Sequence, residues 1–334
     1  MKPGLQEMNT LFHRGRRLRG STGLREIVRE TRLDATDLIM PYVVVDTHDS
    51  GFCSHISSMP GQFRFSLEKL KAQVAGAVEA GLRGLLLFGV PQSKDLYGSE
   101  AWAERGIVQK AVAMLKKHWP HLIVITDVCL CEYTSHGHCG LLSDHGEIMN
   151  DPTLELLART AVSHAAAGAD IVAPSDMMDG RIAAIRAALD SEGYSGLPIL
   201  SYSVKYASAL YGPFQEAAQS APEAGDRKTC QMDPGNAREA LREAKADLDE
   251  GADMLMVKPA GLYGDIIRLL ADNVDVPVAA YQVSGEYAMI KAAGQHGWIN
   301  EETVVLESLI SVKRAGAKLI LSYFTEELLR KRLV

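Results

Sequence analysis

The chain has 334 residues, 47% of them hydrophobic and 23% charged, and its 35 basic and 42 acidic side chains leave a net charge of −7. That balance argues against a nucleic-acid binder, and no apolar run approaches the roughly 18 residues of a membrane span. Five cysteines make no disulfide framework in a chain of this length, and the N-terminus has no apolar signal core, so the expectation is a cytoplasmic enzyme.

Residues 1–30 stand apart. Positions 12–19 carry five basic residues and no acid. A transit peptide is arginine-rich too, but Glu7 and the lack of serine enrichment weaken that reading. A basic arm that docks on an acidic neighbouring subunit fits better. From residue 37 onward the chain alternates short apolar runs with helical stretches. The candidate strands are 38–45, 84–88, 122–127, 170–173, 198–202, 254–257, 276–281 and 318–322. Most are apolar on both faces, as parallel strands covered by helices should be. Periodic helices are expected at 66–80, 153–167 and 301–315, each closing on Ala-Gly, where glycine supplies a left-handed cap. Eight such units predict an α/β fold, a (β/α)₈ TIM barrel over 31–334. A doubly wound sheet is the alternative, but no Gly-rich phosphate turn follows the first strand.

In a barrel the active site is built at the C-terminal strand ends. Here those ends carry Asp127, Ser175-Asp176, Lys205, Lys258, Ser284 and Tyr323. The third strand leads into Asp127–Gly140, which holds Cys129, Cys131 and Cys139. Cys129 and Cys131 leave the same side of an extended chain, and Gly137 lets Cys139 return to them. Three thiolates on one Zn²⁺ leave the fourth tetrahedral position open, as catalytic zinc sites do. A single cysteine is usually a small buried apolar residue, and Cys53 and Cys230 are read that way. His136 and His138 are read as hydrogen-bonding residues rather than ligands, because three thiolates already suffice.

Lys205 lies just past the fifth strand, and Lys258 ends the sixth. Adjacent strands are about 4.8 Å apart. Two ammonium groups ~5 Å apart at an effective dielectric of ~20 repel by roughly 3 kcal/mol, which lowers one pKa by about two units. A lysine so shifted can attack a carbonyl and form a Schiff base. The plainer reading is that each pairs with a carboxylate or reaches solvent. Between them, residues 206–235 form a polar, Gly/Pro-punctuated connection of the kind that makes a lid. Arg227 and Lys228 on it suit a substrate carboxylate, although either alone reads as a solvated surface charge.

Together these segments resemble the porphobilinogen synthase (5-aminolevulinate dehydratase) family of the zinc-cysteine type. The resemblance runs through nearly the whole chain. It is carried by Asp127–Gly140, Val172-Ala-Pro-Ser-Asp-Met-Met-Asp-Gly180, Tyr202-Ser-Val-Lys205, Tyr211-Gly-Pro-Phe214, Met256-Val-Lys-Pro-Ala260 and Val283-Ser-Gly-Glu286. It implies asymmetric condensation of two 5-aminolevulinate molecules to porphobilinogen with loss of two waters. Lys258 would bind the first, propionate-side substrate and Lys205 the second. Zinc at Cys129, Cys131 and Cys139 would act as a Lewis acid, with Asp127 placed to help proton transfer. Ser284 and Tyr323 would grip the first carboxylate; Arg227 and Gln231 would lie near the second substrate. Gln215 stands where the family commonly has an arginine, with Lys228 a possible substitute, and Cys230 where it usually has tyrosine. The resemblance further implies a homo-octamer with residues 1–30 as arms, and an allosteric Mg²⁺ at Glu243. At that last position an ordinary helix carboxylate is the plain alternative, and Ala237 replaces a common arginine nearby. From the lysines alone a class I aldolase is the second enzyme reading. A zinc-binding assembly protein is the non-enzymatic one, motivated by Gln215.

Overall fold

The computed structural model describes residues 13–221 and 226–334. The chain divides into two compact units, 1–32 and 33–334. In the first, residues 1–12 of the expected arm lie outside the described residues. The rest forms a 3₁₀ turn, Gly15–Arg19, and a short helix, Thr22–Ile27, capped by Ser21, whose side chain accepts from the Leu24 N–H at 3.2 Å. None of its described residues is buried, and Leu18, Leu24, Ile27 and Val28 are exposed.

The second unit is the expected barrel. Its strands are β1 (Leu38–Val45), β2 (Gly84–Val90), β3 (Ile123–Val128), β4 (Ile171–Pro174), β5 (Leu200–Lys205), β6 (Met254–Lys258), β7 (Val278–Gln282) and β8 (Leu319–Ser322). All pairs are parallel, in the spatial order β4-β3-β2-β1-β8-β7-β6-β5. A parallel bridge between Val172 and Ile199 joins the two ends of that order. This closure removes the open-sheet alternative. Every residue of β2 is buried, which explains why that strand reads as one apolar run and not as an alternation.

The helices form because their apolar residues recur at helical spacing. Helix Leu67–Glu79 buries Leu70, Val74 and Ala77, and Ser66 caps it by accepting from the Lys69 N–H. Burying each large aliphatic side chain contributes roughly 1.5–3 kcal/mol. Gly81, at φ 110°, then turns the chain into β2, and Gly168 and Gly316 do the same elsewhere with φ of 97° and 127°. The sequence pattern does not show the hairpin of Cys53–His55 with Phe63–Phe65, nor that of Leu141–Leu142 with Ile148–Met149. Strands of two or three residues are too short to express a period.

Helix Asn150–Ala166 buries His164 completely, with neither ring nitrogen hydrogen-bonded among the described residues. Burial pushes its pKa down to about 3. The folded pKa is thus depressed. Between about pH 6.5 and 3 the unfolded chain binds a proton that the folded one refuses, so stability present above that window is lost as pH falls through it. Replacing His164 with leucine is expected to remove about 2–3 kcal/mol of the stability loss between pH 7 and pH 4.5. Urea unfolding of both proteins at the two pH values checks this; parallel losses would refute it.

Candidate active site

Lys205 ends β5 and Lys258 ends β6, and the register sets the two residues side by side. The sequence pattern stops the fifth strand at 202. The folded strand continues to Lys205, beyond which the Met232 N–H donates to the Lys205 carbonyl at 3.0 Å and Tyr206 bridges Met232. Both lysine side chains are buried. Lys258 makes no ion pair within 4 Å among the described residues, and aromatic rings surround it. The two amines are not equivalent. Burial, then repulsion from Lys205, lowers the Lys258 pKa to about 7, against opposing pulls from Asp127, Cys131 and Glu132. Burial alone would lower Lys205 too, but the sulfurs of Cys139, Cys129 and Cys131 outweigh it and hold its pKa above the ordinary value. The Lys205 ammonium also donates to the Ser175 carbonyl.

Beyond β3, the sulfurs of Cys129 and Cys131 are 3.3 Å apart, and Cys139 joins them with all three atoms within 4.8 Å of one another. Gly137, at φ 72°, is the residue that lets the loop double back. All three cysteines are buried. Hydrogen bonds from Cys129 and Cys131 hold the Cys139 thiol well below its usual pKa. Three inward-facing soft donors at this spacing fit a tetrahedral dication. Cys53 is exposed and Cys230 half-buried; neither joins the cluster. His136 and His138 are absent from it as well. His136 has Nε2 3.3 Å from the Leu96 carbonyl, and its Nδ1 accepts from the His138 N–H at 3.1 Å.

Asp127 is buried beside this cluster and accepts from Ser175 Oγ at 3.0 Å through one oxygen; the other has no hydrogen-bond partner among the described residues. Burial, then Glu132, raises its pKa to about 8. Asp176 is buried and accepts from the Met178 N–H at 2.8 Å. Its pKa is raised to about 6 by burial, and it lies 3.8 Å from Arg181, which also pairs with Asp247.

Lid residues Gln215, Arg227 and Gln231 meet Lys205 and Lys258 around a cavity of about 20 Å³, room for about one water. Residues 222–225 of the expected lid lie outside the described residues. Arg227 donates to the Gly137 carbonyl at 2.8 Å and to the Ser220 carbonyl, so it ties the lid to the cysteine loop. Lys228 is exposed and lies 3.6 Å from Asp226; it does not line this cavity. Ser284 Oγ accepts from the Phe214 N–H at 3.0 Å, and the Tyr323 hydroxyl is 3.0 Å from that of Tyr281. Both are buried next to the rings around Lys258. Glu243 lies in a separate cleft of about 1100 Å³ with an Arg242 contact at 3.4 Å, and it belongs to no group of three close metal ligands among the described residues.

Sequence reasoning missed two things here. Glu132 is buried, accepts from the Cys131 thiol at 3.2 Å, and forms a second close group with Asp127 and Cys129. Its place directly after Cys131 was the available signal. The aromatic surroundings of Lys258 had none, because the rings come from separate segments.

A family model described as delta-aminolevulinic acid dehydratase matches residues 12–331. Similar curated proteins bear the same description. One from Halalkalibacterium halodurans is 56% identical over 319 residues, covering 96% of each chain. One from Bacillus subtilis is 53% identical over 320 residues, covering 96% of this chain and 98% of its own. Among solved structures, delta-aminolevulinic acid dehydratase (porphobilinogen synthase) from Toxoplasma gondii, in complex with the reaction product porphobilinogen, superposes with a TM-score of 0.93. It is 43% identical, and the match covers 96% of this chain and 92% of that one.

Proposed function

Because the chain belongs to the delta-aminolevulinic acid dehydratase family, we propose that Lys258 and Lys205 are the amines that bind its two substrate molecules. The chain is a hydro-lyase that condenses 5-aminolevulinate to porphobilinogen in tetrapyrrole biosynthesis. One observation carries the assignment of residues: two buried lysines sit side by side at the C-terminal ends of β5 and β6, only one with a depressed pKa. Lys258, near half neutral at pH 7, attacks the ketone of the first substrate. Lys205, held cationic by the sulfur cluster, takes the second once that cluster is charge-compensated. Asp127, bonded to Ser175, is placed to exchange protons beside both amines. Ser284 and Tyr323 orient the first substrate's carboxylate, and Arg227, Gln231 and Gln215 face the second. Gln215 offers hydrogen bonds where an arginine would offer an ion pair, so its grip is weaker.

Cys129, Cys131 and Cys139 hold zinc in this reading, and the ion supplies Lewis-acid polarisation of the second substrate when bound. The cavity of about 20 Å³ admits no substrate until Arg227 releases the Gly137 carbonyl and the lid opens. The magnesium assignment at Glu243 rests on the resemblance alone, and Glu243→Gln should remove any activation by added Mg²⁺ if it is right. The exposed apolar residues of the first unit support its role as a subunit arm in a homo-octamer. Light scattering should give the mass of eight chains, and deleting residues 1–30 should lower it; an unchanged mass refutes the arm.

Borohydride trapping tests the central assignment. The neutral fraction of Lys258 is about one tenth at pH 6 and about half at pH 7, so the initial rate of adduct formation should rise about fivefold over that interval and less than twofold from pH 7 to 8. An ordinary lysine would give about tenfold per unit throughout. Such a profile, or an adduct mapped elsewhere, would overturn the assignment.

A further inference from the structure

We propose that Tyr202, Tyr211, Phe214 and Tyr281 form an aromatic cage that stabilises the iminium cation on Lys258 by cation–π attraction. The inference rests on Lys258 being the covalent amine. Its Nζ lies 4.6 Å from the ring centroid of Tyr281, 5.1 Å from Tyr202, 5.2 Å from Tyr211 and 5.4 Å from Phe214. All four distances fall within the ~6 Å over which a ring face attracts a cation. No carboxylate lies within 4 Å of this nitrogen among the described residues, so the rings occupy the place of a counter-ion.

Hydrogen bonds hold two of the rings and packing holds the other two. The Tyr211 hydroxyl donates to the Tyr206 carbonyl at 2.7 Å and to the carbonyl of Lys258 itself at 3.2 Å. The hydroxyls of Tyr281 and Tyr323 are 3.0 Å apart. Phe214 packs against Phe88 with centroids 4.6 Å apart and planes at 64°, while its N–H donates to Ser284. Tyr202 is fully buried and lies under both amines, its centroid 5.8 Å from Lys205 Nζ.

The chemistry needs such a cage because reactant and intermediate make opposite demands. The neutral amine and the ketone form the Nζ–C bond, the C–O bond breaks, and the oxygen leaves as water. One proton is taken up, and the nitrogen keeps one hydrogen and a positive charge. A dry site disfavours every cation, including the iminium. An ammonium is compact and strongly hydrated, so it loses most when water is excluded. An iminium spreads its charge over nitrogen and carbon and loses less. Ring faces attract either cation without needing water, which returns to the iminium what burial removes. Burial alone would keep the amine neutral and also stall the intermediate.

Progressive fluorination tests this without changing shape appreciably. Phe214 is replaced with mono-, di- and trifluorophenylalanine in the full-length, metal-loaded protein. Borohydride-trapped 5-aminolevulinate is then measured by mass spectrometry, alongside kcat and KM. The logarithm of the equilibrium adduct fraction relative to free amine should fall steadily with each fluorine, reaching about three- to tenfold for the trifluorinated ring. Tyr281→Phe should keep most of the adduct, and Tyr281→Leu should lose about as much as the trifluoro ring. Adduct levels indifferent to fluorination would show that the rings only pack, and would overturn the proposal. If the unsubstituted protein forms no adduct at Lys258, the covalent assignment itself fails instead, and the two outcomes are separated by peptide mapping.

Discussion

Replacing Lys258 with methionine is expected to abolish porphobilinogen formation, lowering kcat/KM on the order of 10⁴-fold or more, while the protein folds normally and keeps its metal. Methionine matches the length of the buried stem and removes the amine, so the cavity keeps its packing. Loss of a covalent nucleophile removes the whole pathway and not one contact within it, which is why the effect is so large. Stability should not fall, because Lys258 is a buried amine with no ion pair within 4 Å among the described residues. Its removal also takes away the repulsion at Lys205. Borohydride should then trap no adduct on β6. Lys205→Met should behave differently: the first substrate still forms its adduct at Lys258, but no pyrrole follows. If Lys258→Met retained turnover within tenfold, the assignment of the first substrate to Lys258 would be wrong.

The second large effect concerns the cysteines. Cys129→Ala with Cys131→Ala leaves Cys139 as the only thiol of the set. Removing one second-shell partner typically costs about 10- to 100-fold in metal affinity, and two missing ligands exceed that. Metal analysis after dialysis should show loss of zinc, and porphobilinogen formation should disappear with it. Borohydride should still trap 5-aminolevulinate on Lys258, since that amine lies on another strand and does not depend on the metal for its attack. Turnover that survives in metal-free protein would refute the metal assignment, and loss of the Lys258 adduct would show that the cluster supports more than the second substrate.

Much of this site was legible from local signals. Cys129, Cys131 and Cys139 are close in the chain, so their spacing nearly implies their meeting. Lys258 and Lys205 were legible at one remove: each follows an apolar strand, and barrel topology puts such residues at one end. Repulsion between the two lysines predicts that one pKa of the pair is lowered, without saying which. Lys258 is lowered, but Lys205 is raised, because its fate depends on sulfurs from the loop after β3 that no local pattern brings to it. Lys228 shows the same limit. It has the right charge for a carboxylate, yet its backbone position on the lid points it to Asp226 and solvent.

By itself the sequence determined the barrel and the order of its strands, and it brought forward the lysines and cysteines as candidates, because periodicity, glycine caps and ligand spacing act over a few residues. The tertiary structure alone decided which amine has its pKa lowered, that Arg227 ties the lid to the cysteine loop, that Glu132 lies against the cluster, and that four rings from β5, the lid and β7 surround Lys258. Burial and long-range charge set those properties, and both depend on neighbours brought together only when the barrel closes.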